Sequence, residues 1–158
     1  MRTIFKIVVG AAIVVVVVGA CGLVVMSYLA RLDNVYEVPV PPGSLIAPTA
    51  ASADYSDAWR GELRGSYRDI EHVIENAFHK PVELQRDDRE VLYEGAAPGL
   101  RYRISYILDR DSRPQAIVAC TTVKILNRSG RIYWTLIRPV HRALIPYMLK
   151  RMANAAEI

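Results

Sequence analysis

The spacing of apolar side chains along this chain changes from segment to segment, and each period predicts an element. From Ile7 to Leu29 there are 23 residues without a charged side chain. At 1.5 Å per residue a helix of that length spans about 35 Å, against about 30 Å for bilayer hydrocarbon. The run therefore predicts a transmembrane helix within residues 1–30. Valine fills nine of these positions, a poor choice for a helix in water. In lipid an unpaired amide costs several kcal/mol, and that outweighs propensity. Arg2 and Lys6 precede the run, whereas Arg31 beyond it is offset by Asp33 and Glu37. This bias predicts a single-pass protein of the inner membrane, its N-terminus cytoplasmic and its C-terminal domain periplasmic.

Residues 31–52 contain Pro41, Pro42, Gly43, Pro48 and small residues from Thr49 onward, with neither helical nor alternating period. They predict a semi-extended linker to a domain over 53–158. Tyr55, Ala58, Trp59 and Leu63 suggest its first strand. Ser66 and Asp69 then open a helix with Ile70, Val73, Ile74, Ala77 and Phe78 on one face, ended by Lys80-Pro81. The period next falls to two. Val82 to Leu84 and Val91 to Tyr93 flank a polar turn and predict a hairpin. Leu100, Tyr102, Ile104, Tyr106 and Leu108 form one face of the following strand, with Arg101, Arg103, Ser105 and Asp109 on the other. A turn at Asp111 to Pro114 leads to its antiparallel neighbour, Ala116 to Leu126.

A long helix from about Arg131 to Asn154 closes the chain. Arg131, Thr135, Arg138 and Arg142 fall within about 60° of one another on its wheel, a basic stripe. Apolar residues from Ile132 to Met148 occupy an arc of about 220°, where about 100° suffices to cover a sheet. A ligand cavity, a second protein chain such as a homodimer partner, or a membrane surface would each satisfy that width. Pro139 and Pro146 delete bonds to the carbonyls of Thr135 and Arg142 and predict kinks. The fold class expected is α+β: a transmembrane helix, then a curved antiparallel sheet gripping a long, kinked C-terminal helix.

Composition narrows function by exclusion. A mean hydropathy of +0.15 averages an apolar leader with an ordinary domain. A net charge of +4 suits a membrane surface better than nucleic acid in an exported domain. Of the two cysteines, Cys21 closes a Val-Gly-Ala-Cys sequence like a lipoprotein cleavage site, which would make it a lipidated anchor; the apolar run continuing to Leu29 favours the uncut helix. Cys120 reads as a small strand residue. Asp87, Asp88 and Glu90, and Asp109 with Asp111, read as turn residues. There is no HExxH, CxxC, G-x-S-x-G, P-loop or dinucleotide fingerprint. No cofactor, metal or catalytic residue is expected.

Longer motifs carry a resemblance. Gly99-Leu100-Arg101-Tyr102-Arg103-Ile104-Ser105, Thr121-Thr122-Val123, Asn127 to Trp134, Arg138-Pro139-Val140-His141-Arg142, and Asp54 to Arg60 together resemble a bacterial family known as a domain of unknown function. That family belongs with the START-like, polyketide-cyclase-like (SRPBCC, helix-grip) proteins. It usually has Phe where this chain has Val140, and a longer insertion than the stretch from Phe78 to Gly99. The resemblance implies a reduced helix-grip fold with an apolar space beneath the helix. It does not imply an enzyme.

Four residues are candidates to line that space: Tyr102, Tyr106, Trp134 and His141. The plainer readings are core aromatics for the tyrosines and, for His141, a core imidazole bonded to a strand group. Arg138 and Arg142 are candidates for anionic headgroups, with a solvated face as the plainer reading. The expected function is a membrane-anchored, non-enzymatic domain that binds a lipid or hydrophobic small molecule. The alternative is an interaction module whose apolar C-terminal helix is covered by a partner subunit or the membrane surface.

Overall fold

Alternating apolar and polar positions carry the middle of the chain through consecutive antiparallel strands, and two helices and a strap are laid on the resulting sheet. The computed structural model describes residues 34–74 and 81–155, together with Gly22, Val25 and Tyr28. Its elements are β1 (Val35–Glu37), α1 (Ala47–Ala50), β2 (Tyr55–Glu62), α2 (Ile70–Ile74), β3 (Val82–Arg86), β4 (Glu90–Ala97), β5 (Leu100–Asp109), β6 (Ala116–Ile125) and α3 (Arg128–Ala155). The sheet has the order β1-β2-β6-β5-β4-β3, and every pairing is antiparallel.

On β5, Leu100, Tyr106 and Leu108 are buried towards α3 and α2, and Ile104 packs at the margin of that core. The facing strand β6 is buried on both faces from Ala116 to Val123. Its sequence, Ala-Ile-Val-Ala-Cys-Thr-Thr-Val, has the near-continuous small and apolar character that burial on both faces demands. One cover is α3. The other comes from the segment expected to be a linker.

Residues 35–51 are part of the domain, which corrects the linker expectation for that stretch. Val38, Val40, Leu45 and Ile46 pack on Ala58, Leu92, Val118 and Cys120, and Ile46 is fully buried. Glu90, buried in the sheet, accepts the Leu45 amide at 2.7 Å and the Ser105 hydroxyl. Arg103 donates to the Thr49 hydroxyl at 2.7 Å. Proline and glycine interrupt this strap, so its apolar residues follow neither period and give no sequence signal.

Asn127 caps α3, its side-chain oxygen accepting the Gly130 amide at 3.0 Å and the Ser129 hydroxyl at 2.6 Å. The helix therefore starts at Arg128. A Cβ on Gly130 would stand 1.9 Å from the Gly99 carbonyl oxygen, and Gly99 itself has φ +74°; only glycine fits either place. Further along, Ile145, Leu149, Met152 and Ala153 join Trp59, Val91 and Leu108 in the main core. Of the shorter helix expected from Ser66 to Lys80, the described part is α2, with Ile70, Val73 and Ile74 buried.

The fold-class expectation is corrected at its N-terminus. Among the described residues no helix is long and apolar enough to cross a membrane. The expected span, Ile7–Leu29, and Cys21 within it lie outside the described residues, apart from Gly22, Val25 and Tyr28. No described element therefore supports the single-pass inner-membrane topology or the bilayer partner. What stands is an antiparallel sheet packed against a long C-terminal helix, an arrangement like a helix grip.

Candidate interaction site

Alternation on β2 places Tyr55, Asp57 and Trp59 on one face, beneath the first half of α3. Trp134, Arg138 and His141, spaced by four and three along α3, face them. The Asp57 carboxylate is buried and accepts from the Tyr55 hydroxyl at 2.7 Å, from the Trp59 indole at 3.2 Å and from His141 Nε2 at 3.3 Å. Tyr55 and Trp134 rings lie 4.9 Å apart, and Trp134 and His141 rings 5.6 Å. The Arg138 guanidinium sits 5.1 Å over Tyr55, and that of Arg142 5.9 Å over Trp59. Burial pushes the Asp57 pKa up, but hydrogen bonds and charge from His141, with bonds from Tyr55 and Trp59, hold it below the ordinary carboxylate value. Burial, then the charge of Asp57, raises the Tyr55 phenol.

This cluster stitches α3 to the sheet. With three donors on it and its side chain 1% exposed, the Asp57 carboxylate presents no open face to an outside ligand. His141 thus finds its partner in Asp57, a residue the sequence reading passed over; its place between Tyr55 and Trp59 at strand spacing was the available signal. Arg142 is likewise engaged, donating to Glu37 at 2.7 Å.

Beside the cluster a cleft of about 240 Å³ opens between α3 and the β5–β6 face. Tyr102, Trp134 and His141 line it, with Leu100, Val123 and Ile137. Tyr106 does not: it is 2% exposed and its ring meets Tyr93 edge-on at 6.3 Å. Three of the four expected lining residues are thus brought together and one belongs to the core. Small-molecule sites typically enclose about 300–1,000 Å³. This cleft is smaller and open, and the core beneath α3 is filled by side chains, so the enclosed apolar space that the carrier expectation required is not found beneath the helix. No metal-holding group of His, Cys, Asp or Glu occurs among the described residues.

The outer surface of α3 is different. Ile132 is 58% exposed and Leu136 70%, with Tyr133 and, at the preceding turn, Leu126 also open. The wide apolar arc is therefore satisfied along the second half of the helix and left uncovered along the first.

No family model, curated protein or solved structure matches this chain. The family resemblance read from the motifs is corrected accordingly, and with it the START-like and SRPBCC assignment.

Proposed function

We propose that this chain is a protein-interaction module that presents the first half of α3, with the adjoining cleft, to a partner protein. One observation carries the reading: Ile132 and Leu136, one turn apart on a well-capped helix, are more than half exposed. Large apolar side chains grouped beside an open cleft mark contact surfaces, whereas scattered ones do not. Burying Leu136 in an interface would contribute about 1–2 kcal/mol, its share of the ~1.5–3 kcal/mol for a fully buried leucine.

A photoreactive amino acid placed at Leu136, at Ile132 and, as a control, at exposed Arg113 tests this in the native cells. The expected result is one cross-linked protein shared by positions 132 and 136 and absent from 113. Once purified, it should bind the full chain saturably and about tenfold more weakly after Leu136→Ala. Cross-linking no stronger than at Arg113, or only within the chain itself, would refute the reading.

A further inference from the structure

The chemistry of the partner can be taken further, on the footing of the interaction reading above. Between Arg128 and Ala155, α3 holds Arg128, Arg131, Arg138, Arg142, Lys150 and Arg151 and no acidic residue. At 100° per residue, Arg131 and Arg128 form one flank of the exposed strip, Ile132 and Leu136 its crest, and Tyr133 the flank that descends into the cleft. Among the described residues neither Arg128 nor Arg131 holds an ion pair, in contrast to Arg142 with Glu37; the nearby Asp54 carboxylate, which feels the charge of Arg131, is paired with Lys124. The surface is thus ordered basic, apolar, concave across its width.

We infer that the partner docks through an acidic amphipathic helix, laid along the first half of α3 with its carboxylates on Arg128 and Arg131 and an apolar side chain inserted in the cleft. Residues 128–139 offer about 17 Å of helix, or about three turns for the partner to follow. The cleft of about 240 Å³ is smaller than a typical small-molecule site but open enough to admit a side chain from outside. Thr121, 3% exposed, lies among its lining residues, and its hydroxyl has no hydrogen-bond partner among the described residues. A polar atom on the inserted segment would satisfy it. A directional apolar slot with a buried hydroxyl matches a protein segment. A lipid surface would use the arginines and the crest but has no side chain of fixed register for the slot. Charge complementarity of this kind acts mainly on association rate and selectivity.

The test is a selection from a displayed library of 18-residue helices (about five turns) with randomised apolar and polar positions, against the immobilised full chain. Vesicles of anionic and of neutral lipid are assayed alongside. The inference expects selected sequences enriched in Asp and Glu on one flank of an apolar stripe. They should lose at least tenfold in affinity when Arg128→Gln and Arg131→Gln are combined, and affinity should fall steeply with salt. Melting of that variant should match the parent, which separates lost contact from lost fold. Neutral or basic helices that still need Leu136 would overturn the acidic partner while leaving the interaction surface intact. Selection of nothing above background would overturn both. Binding to anionic vesicles in place of any helix would show that the surface recognises lipid, and would equally overturn the inference.

Discussion

Removing the Asp57 side chain is the sharpest probe of how α3 is held. In Asp57→Ala three donors lose their acceptor at once: the Tyr55 hydroxyl, the Trp59 indole and His141 Nε2. Trp59 is fully buried and cannot turn to water, so losing its bond to Asp57 costs about 1–3 kcal/mol. Tyr55 is half-buried and can recover part of its bond. Leaving three donors without the acceptor they share should cost about 3–5 kcal/mol in all, lowering the Tm by roughly 10–15 °C. Asp57→Asn keeps an acceptor oxygen and should lose about half as much. Both tryptophans of the chain flank the cluster, so urea unfolding followed by their fluorescence reports it directly. The pH dependence has a fixed sign. Because the native pKa of Asp57 lies below the ordinary aspartate value of 3.8, the carboxylate stabilises the fold above that value and the contribution fades as pH falls through the lower, native one. The gap between the parent and Asp57→Asn should accordingly close on acidification below about pH 4. A loss under about 1 kcal/mol for Asp57→Ala would show that the cluster does not hold the helix.

Three further outcomes are expected. Glu90→Ala removes the acceptor of the Leu45 amide and the Ser105 hydroxyl, so the strap over residues 38–51 should become open to limited proteolysis while β4 to β6 stay protected, and unchanged cleavage would disprove its anchoring role. Burial pushes the Cys120 thiol up to about 12, so it should resist alkylation at pH 8 until the chain is unfolded; rapid labelling of native protein would contradict its place in the sheet. Gly130→Ala sets a Cβ 1.9 Å from the Gly99 carbonyl and should cost more than the ~1 kcal/mol that a helical glycine ordinarily gains on becoming alanine, read by chemical denaturation as a loss where propensity alone predicts a gain.

The sequence announced those elements whose burial is one-sided and periodic. β5 is the clearest case, because Tyr106 and Leu108 lie inward at alternate positions. α3 was legible for the same reason, down to the excess width of its apolar arc. What the pattern could not show depends on pairing across long separations. Asp57 and His141 are 84 positions apart, and neither is unusual alone. Glu90 read as a turn residue because it adjoins Asp87 and Asp88; only the return of Leu45 over the sheet makes it a buried acceptor. The strap was missed because burial without periodicity looks like exposure. The family resemblance rested on short stretches, two of which meet at the cap by Asn127 and the Gly99–Gly130 contact. Tyr106, a candidate for the cavity with the core as its plainer reading, lies on the expected face and belongs to that core.

The strand order β1-β2-β6-β5-β4-β3 also fixes a sequence of events in time. The four strands from β3 to β6 are neighbours in chain order, so each closes only a short loop and the meander assembles from local contacts. Pairing β2 with β6 brings Tyr55 opposite Val123, a far longer closure whose entropy must be met before any contact rewards it. On loop closure alone residues 34–62 are expected to add to the sheet last, and without them the second face of β6 lies bare. The newly made chain meets this in reverse, because its N-terminal strands are synthesised first and must wait for β6. Until then the β6 side of β2 has no partner, and the strap that later seals the sheet also covers a surface open to joining another copy.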